Sequence, residues 1–103
     1  MSVKILTEEN KITAFLSGEI DHHIASALRN EIDLAIREND PNILILDFAK
    51  VSFMDSSGIG LVMGRYKLMS ELNGKVVVQN PPSHIKKVMK LSGIEKIASI
   101  CNA

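Results

Sequence analysis

The residues with the clearest capacity for chemistry lie in one short segment, Phe53-Met54-Asp55-Ser56-Ser57-Gly58-Ile59-Gly60. Two hydroxyls, a carboxylate and two glycines follow one another there, between a predicted strand and a predicted helix. In an open α/β sheet, binding sites form at the carboxyl ends of the strands. The segment therefore predicts either a functional loop or a helix N-terminus that Asp55 or Ser56 caps and in which Gly58 and Gly60 allow close packing.

Four kinds of site use these residue types. A nucleophilic serine of the hydrolase kind requires Gly-x-Ser-x-Gly, but Met54 occupies the first glycine position. Dinucleotide binding requires Gly-x-Gly-x-x-Gly, but Gly58, Gly60 and Gly64 are spaced one residue too far apart. A P-loop requires a lysine directly after its last glycine, but Arg65 follows Gly64. A phosphoacceptor serine requires only a hydroxyl that a kinase can reach. Composition and spacing leave phosphorylation and helix capping open as alternatives.

Residues that often bind metals or nucleic acids form no convincing cluster. Adjacent side chains on a helix diverge by about 100°, so His22 and His23 cannot share a tetrahedral metal site without further ligands. Lys86, Lys87 and Lys90 form a basic stripe that we interpret as a solvated helix face. Twelve basic and twelve acidic residues give a net charge of zero, whereas nucleic-acid binders carry a basic excess. We therefore expect no metal, no cofactor and no nucleic-acid partner.

Length and composition place further limits on the protein. A chain of 103 residues is long enough for one core, so we assign residues 1–103 to a single domain. No apolar run approaches the ~20 residues that span a bilayer, and no signal peptide is visible at the N-terminus. The one cysteine, Cys101, permits no internal disulfide. These features predict a cytoplasmic protein that does not contact membranes.

The hydrophobic pattern predicts an α/β fold in the order β-β-α-β-α-β-α-β. Alternating residues around Val3–Thr7 and Ile12–Leu16 indicate an antiparallel hairpin that ends at Gly18. Asp21 is a favourable N-cap for the first helix. The apolar face of that helix repeats at steps of three and four residues: Ile24, Leu28, Ile32, Ala35 and Ile36. The run from Asn42 to Phe48 has no alternation, which is typical of a buried parallel strand.

The second half of the chain continues the alternation of strands and helices. A loop from Ala49 to Met54 leads to the second helix, which Asn73-Gly74 ends. The predicted apolar face of this helix consists of Ile59, Val62, Tyr66 and Met69, and it is widened by Leu61, Leu68 and Leu72. Val76–Val78 is a buried strand, Pro81-Pro82 opens a third helix, and Ile94–Ile100 is a short last strand. Four methionines are expected in the core: Met54, Met63, Met69 and Met89. The pattern calls for a mixed, mainly parallel sheet with helices packed on it.

Three segments resemble the STAS domain, the fold of the bacterial anti-sigma-factor antagonists. Gly18-Glu19-Ile20-Asp21-His22-His23 is similar to the motif after the family's second strand, and Ser52–Gly60 is similar to its phosphorylation-site motif. Gly64-Arg65-Tyr66-Lys67 continues that motif into the helix. The resemblance runs from about Val3 to Ile100. The Asp-Ser-Ser-Gly core is shared widely in the family, including antagonists of the stress response. The other two segments resemble the sporulation antagonists, which act on the anti-sigma factor that holds sigma F.

The resemblance implies a partner-exchange switch and no catalytic activity of the protein's own. Ser56 would be the phosphoacceptor, flanked by Asp55 and Ser57 in a loop shaped by Gly58, Ile59 and Gly60. Asp21 would be the acidic residue that the family presents to an arginine of the anti-sigma factor.

The partners implied are a dimeric anti-sigma factor that is also a serine kinase, and a separate serine phosphatase. The family usually continues into a last helix beyond the position of Ile100, and we expect this helix to be missing here. Two alternatives remain, an antagonist for a different sigma factor and a small nucleotide-binding or hydrolytic enzyme built around Asp55–Gly60.

Overall fold

The eight predicted elements are present in the predicted order in a computed structural model that describes residues 3–103. One short 3-10 turn, Ile94–Lys96, precedes the last strand. The elements are β1 (Val3–Glu8), β2 (Lys11–Ile20), α1 (His22–Asn39), β3 (Ile43–Met54), α2 (Ser56–Glu71), β4 (Lys75–Gln79), α3 (Ser83–Ser92) and β5 (Ser99–Cys101).

The strands form one five-stranded sheet in the order β1-β2-β3-β4-β5. β1 pairs antiparallel to β2 across a turn in which Asn10 takes the left-handed conformation, with φ at 64°. The remaining neighbours are parallel, so the prediction of a mixed, mainly parallel sheet is confirmed. Parallel connections are almost always right-handed. Because each connection steps in the same direction across the sheet, the three helices lie on the same face.

The core lies between that face of the sheet and the helices. Apolar residues at alternate positions of the central strands form the sheet's side of this core: Ile12, Ala14, Leu16, Leu44, Leu46, Val76 and Val78. The predicted face of α1 is confirmed, since Leu28, Ile32, Ala35 and Ile36 are buried and Ile24 packs against the core. Burial of these apolar side chains provides the main favourable contribution to folding.

Three predicted strand boundaries are wrong. β2 continues past Gly18 to Ile20, and β3 continues through the predicted loop to Met54. The register shifts near Gly18, whose φ is 79°, and the two strands remain paired as far as Ile20 and Met54. The sequence predicts the last strand over residues 94–100, but only residues 99–101 pair with β4. Strand length is therefore decided by the neighbouring strand, not by the local hydrophobic run.

The buried face of α2 differs from the prediction at Tyr66 and Leu72. Leu72 follows the last residue of the helix and is exposed. Tyr66 is exposed, and the buried residue beside it is Arg65. Met63 is also exposed, whereas the other three methionines expected in the core are buried. The difference arises because α2 packs against α1 on one side, where an aspartate pairs with Arg65.

Candidate functional site

The N-termini of α1 and α2 lie side by side at one edge of the sheet. β2 and β3 end as neighbours, with Ile20 opposite Met54. The backbone N–H of Asp55 donates a hydrogen bond to the carbonyl oxygen of Ile20 over 3.3 Å. The N-cap residues of the two helices, Asp21 and Asp55, follow directly. The fold thus brings together the two segments that the sequence singled out, which lie more than thirty residues apart.

Each helix is capped by an aspartate. The Oδ1 atom of Asp21 accepts a hydrogen bond from the backbone N–H of Ile24 at 3.0 Å, which confirms the predicted cap. The Oδ1 atom of Asp55 accepts from the N–H of Ser57 at 2.8 Å, and the Asp55 carbonyl accepts from the N–H of Gly58 at 3.0 Å. The cap of α2 is therefore provided by Asp55, and Ser56 does not provide it.

Ser56 is the first residue of α2, and it is exposed. Its hydroxyl forms no hydrogen bond with any other residue of the described range 3–103. Ser57 is half-buried, and its backbone N–H is used by the cap. The two serines therefore differ, because the Ser56 hydroxyl is accessible and has no role in holding the helix.

The glycines of this loop have different structural roles. Gly58 is buried, and a Cβ atom built there would lie 2.6 Å from Sδ of Met54. No real Cβ contact is that short, so the close packing predicted at Gly58 is confirmed. At Gly60 a Cβ atom would meet nothing within 4 Å, and the residue is exposed. The prediction of close packing is therefore wrong at Gly60. Ile59 is half-buried and packs against the core.

Two grooves border the loop. The groove between α1 and α2 has a volume of about 410 Å³ and is lined by Ser57 together with His22 and Arg29. The groove between α2 and α3 has a volume of about 580 Å³ and is lined by Asp55 and Ser56. Three exposed apolar side chains also line the second groove: Met63, Val88 and Leu91. The surface around Ser56 therefore combines a carboxylate, a hydroxyl and apolar side chains, which suits a protein partner.

A buried ion pair, which the sequence analysis missed, joins α1 to α2. Nε of Arg65 lies 2.8 Å from Oδ1 of Asp33, and Arg65 is only 6% exposed. Burial lowers the pKa of the Arg65 guanidinium, and the charge of Asp33 offsets part of this effect. Nη1 of Arg65 also donates to the carbonyl of Leu61 at 3.4 Å. Only the three-dimensional pairing with Asp33 reveals this role, because a charged residue inside a helix usually faces solvent.

The seven predicted site residues lie at this edge of the sheet, at the beginnings of α1 and α2: Asp21, Asp55, Ser56, Ser57, Gly58, Ile59 and Gly60. His22 and His23 are exposed in the first turn of α1, with ring centroids 5.8 Å apart. Cys101 lies on the edge strand β5 and is not near these residues in the strand order.

None of the helices within residues 3–103 is both long enough and apolar enough to cross a bilayer. Over the same range, His, Cys, Asp and Glu side chains do not gather in groups of three or more that would suit a metal ion.

Comparison with known proteins provides the family. The family model described as the STAS domain matches residues 3–103. The anti-sigma F factor antagonist of Paenibacillus polymyxa is 36% identical over 104 residues, which cover 97% of this chain and 87% of that protein. The anti-sigma-B factor antagonist of Bacillus subtilis (strain 168) is 30% identical, with 97% of this chain and 90% of that protein covered.

Solved structures lead to the same family. The anti-sigma factor antagonist SpoIIAA in its unphosphorylated form is 31% identical with a TM-score of 0.84, covering 96% of this chain and 87% of that one. The phosphorylated form of the Bacillus cell fate determinant SpoIIAA has a TM-score of 0.76 at 31% identity, covering 96% of this chain and 90% of that one. The chain therefore belongs to the STAS domain family, and its relatives include antagonists of the anti-sigma F and anti-sigma-B factors.

Proposed function

We propose that this protein is an anti-sigma-factor antagonist that is switched off by phosphorylation of Ser56. The observation that carries the proposal is the accessible Ser56 hydroxyl at the start of a helix that Asp55 already caps. A serine hydroxyl that capped the helix would have its hydrogen bond to the backbone altered by phosphorylation. Because Ser56 has no such contact, it can take up and release a phosphate without disturbing α2.

In the proposed cycle, the unphosphorylated protein docks on an anti-sigma factor that is also a serine kinase. Docking releases the sigma factor, and the kinase then transfers a phosphoryl group from ATP to the Ser56 oxygen. The modified protein dissociates, and a separate serine phosphatase restores the hydroxyl. The protein is a substrate of both enzymes and a catalyst of neither, it needs no cofactor, and it works in the cytoplasm.

The proposed partner-binding residues surround Ser56. Asp21 uses only Oδ1 for its cap and is exposed, so the carboxylate can also pair with an arginine of the anti-sigma factor. Asp55 and Ser57 flank the phosphoacceptor, and Ile59 adds apolar area. Gly58 allows the turn to pack closely against Met54. Gly60 has no side chain, so a partner can approach the surface of α2 closely at that position.

The energetics of phosphorylation favour a switch that acts at the interface. A phosphate adds about 1.5 to 2 negative charges and three acceptor oxygens. At a helix N-terminus these are stabilised locally, because free N–H groups and the helix dipole favour anions. A kinase site already holds the phosphates of its nucleotide, so a second phosphate there meets like charge. A loss of about 3–4 kcal/mol would weaken binding by more than a hundredfold.

We propose sigma F as the sigma factor under control. The segments Gly18–His23 and Gly64–Lys67 resemble the sporulation antagonists, and two anti-sigma F factor antagonists are 36% and 35% identical to this chain. The anti-sigma-B factor antagonist at 30% identity makes a stress sigma factor the second candidate.

Incubation with an anti-sigma F kinase and ATP, followed by mass mapping, tests the proposal. One phosphate should appear on Ser56, Ser56→Ala should abolish it while binding is retained, and Ser57→Ala should still accept it. A parallel reaction with an anti-sigma-B kinase should be at least about tenfold slower. Stoichiometric phosphorylation of Ser56→Ala would overturn the assignment of Ser56 as the phosphoacceptor. A faster reaction with the anti-sigma-B kinase would identify a stress sigma factor, and not sigma F, as the one under control.

A further inference from the structure

The second face of the sheet is apolar although no helix of residues 3–103 packs on it. On β1 to β4 the residues that alternate with the buried ones point away from the helices, as the pairs Lys4–Phe15 and Ile45–Val77 show. We call this surface the open face. Its members are Lys4, Leu6, Glu8, Lys11, Thr13, Phe15, Ile43, Ile45, Asp47, Lys75, Val77 and Gln79.

The apolar residues of the open face form a band in which buried Thr13 lies between Leu6 and Ile45. Leu6 is 46% exposed and Phe15 is 37% exposed, while Ile43, Ile45 and Val77 are half-buried. The latter three are not among the residues that pack against the core. A sheet face that meets only water usually carries polar residues at these positions. The apolar band spans four strands, or about 14 Å at a strand spacing of about 4.8 Å.

The open face carries three lysines and two carboxylates, and each carboxylate already has a partner within the chain. Lys4 and Lys75 are exposed at opposite ends of the band, and Lys11 is paired with Glu8 at 3.6 Å. The carboxylate of Asp47 is buried and accepts three hydrogen bonds, from the N–H of Ala49 and from the side-chain amides of Gln79 and Asn80 at 2.9, 2.8 and 3.2 Å. Asp47 is thus held within the sheet and does not offer its charge to a partner.

A groove of about 450 Å³ continues the open face toward the carboxyl end of β2. It is lined by Phe15 and Ser17 and bordered by two lysines, Lys4 and Lys50. Lys50 is exposed. The band is therefore framed by positive charge in a chain whose net charge is zero.

We propose that the open face binds an amphipathic helix of a partner protein whose apolar stripe is flanked by Asp and Glu. A helix of about 12 residues is about 18 Å long, which is enough to cross the four strands. Its apolar stripe would cover Leu6, Phe15 and Val77, and its acidic flanks would face the lysines. A second copy of this chain fits less well, because two lysine-framed faces would repel one another.

A designed peptide provides the test. The probe is a helical peptide of about four turns with leucine on one face and glutamate on both flanks. A matched peptide carries lysine in place of every glutamate. Titration into the isotope-labelled full chain, followed by backbone amide NMR, should shift the amides of β1 to β4. The glutamate peptide should bind at least about tenfold more tightly than the lysine peptide.

Substitutions locate the contact. Leu6→Glu should weaken binding of the glutamate peptide at least about tenfold, and the double change Lys4→Glu with Lys75→Glu should do the same. Leu34→Glu is the matched control, because Leu34 is 57% exposed on α1, and it should bind like the parent. The Ser56→Asp variant should also bind like the parent, which separates this surface from the phosphorylation switch.

Four results would overturn the proposal: equal binding of both peptides, shifts confined to the groove between α2 and α3, no shifts at about 1 mM peptide, or an unchanged affinity for Leu6→Glu. Concentration-dependent dimerisation that Leu6→Glu abolishes would assign the open face to a second copy instead. Cosedimentation with phosphatidylserine vesicles that depends on Leu6 would assign it to a lipid surface.

Discussion

The backbone N–H of Asp55 donates a hydrogen bond to the carbonyl of Ile20 at 3.3 Å, so the loop that carries Ser56 is attached to the residue that precedes Asp21. The two helix caps are therefore held at neighbouring strand ends. Ser56 and the Asp21 carboxylate therefore lie at the same edge of the sheet. This proximity is the structural basis for including both residues in one proposed interface.

Asp21→Asn should separate the cap from the charge. Asparagine accepts the same hydrogen bond from Ile24, so the melting temperature should remain close to that of the parent. Removal of the charge should weaken binding to the anti-sigma kinase at least about tenfold, because truncation of a buried charge pair costs about 2–5 kcal/mol. Calorimetry measures the affinity, and an unchanged value would reduce Asp21 to a helix cap.

Phosphorylation of Ser56 should leave the domain folded. The phosphate adds an anion at the positive end of α2, which favours the helix by roughly 0.3–1 kcal/mol. Far-UV circular dichroism of the phosphorylated and unphosphorylated forms should agree, and their melting temperatures should differ by only a few degrees. A melting temperature lowered by more than about 10 °C would instead indicate a switch that works through unfolding.

Gly58→Ala and Gly60→Ala should differ although both add one methyl group to α2. The new Cβ at position 58 would lie 2.6 Å from Sδ and 3.0 Å from Cβ of Met54, whereas the one at position 60 meets open space. Both variants gain the helix propensity of alanine, but only Gly58→Ala is overpacked. We expect Gly58→Ala to be less stable than Gly60→Ala by at least about 1 kcal/mol in urea denaturation. Equal stability of the two variants would show that Met54 moves aside freely.

Loss of Asp33 should leave a buried positive charge on Arg65. Asp33→Asn should lower the free energy of unfolding by roughly 3 kcal/mol, and Arg65→Met added to it should recover much of that loss. Glu31→Gln, on the exposed surface of the same helix, is the control and should change stability by less than about 0.5 kcal/mol. Denaturant titrations of five proteins provide the measurement: the parent, Asp33→Asn, Arg65→Met, the double variant and Glu31→Gln. Additive effects of the Asp33 and Arg65 changes would contradict the pairing.

Local chemistry in the sequence determined the order of the elements and the position of the candidate site. Apolar periodicity depends on neighbours only a few residues away, so α1 and the strand around Leu44 could be predicted. Asp21 and Asp55 cap helices through hydrogen bonds that span two or three residues, and such contacts are visible in the order of residues. The location of Ser56 at a strand-to-helix junction follows from the same signals.

The tertiary structure decided what depends on distant partners. Arg65 is buried because Asp33, 32 residues earlier, lies on the adjacent helix. β3 extends to Met54 because β2 pairs with it that far, although the local pattern suggested a loop. The choice between Ser56 and Asp55 as the cap of α2 required side-chain geometry, since both residue types accept the same hydrogen bond. The side-by-side placement of Asp21 and Asp55 arises from sheet pairing, which joins residues without regard to their separation in the chain.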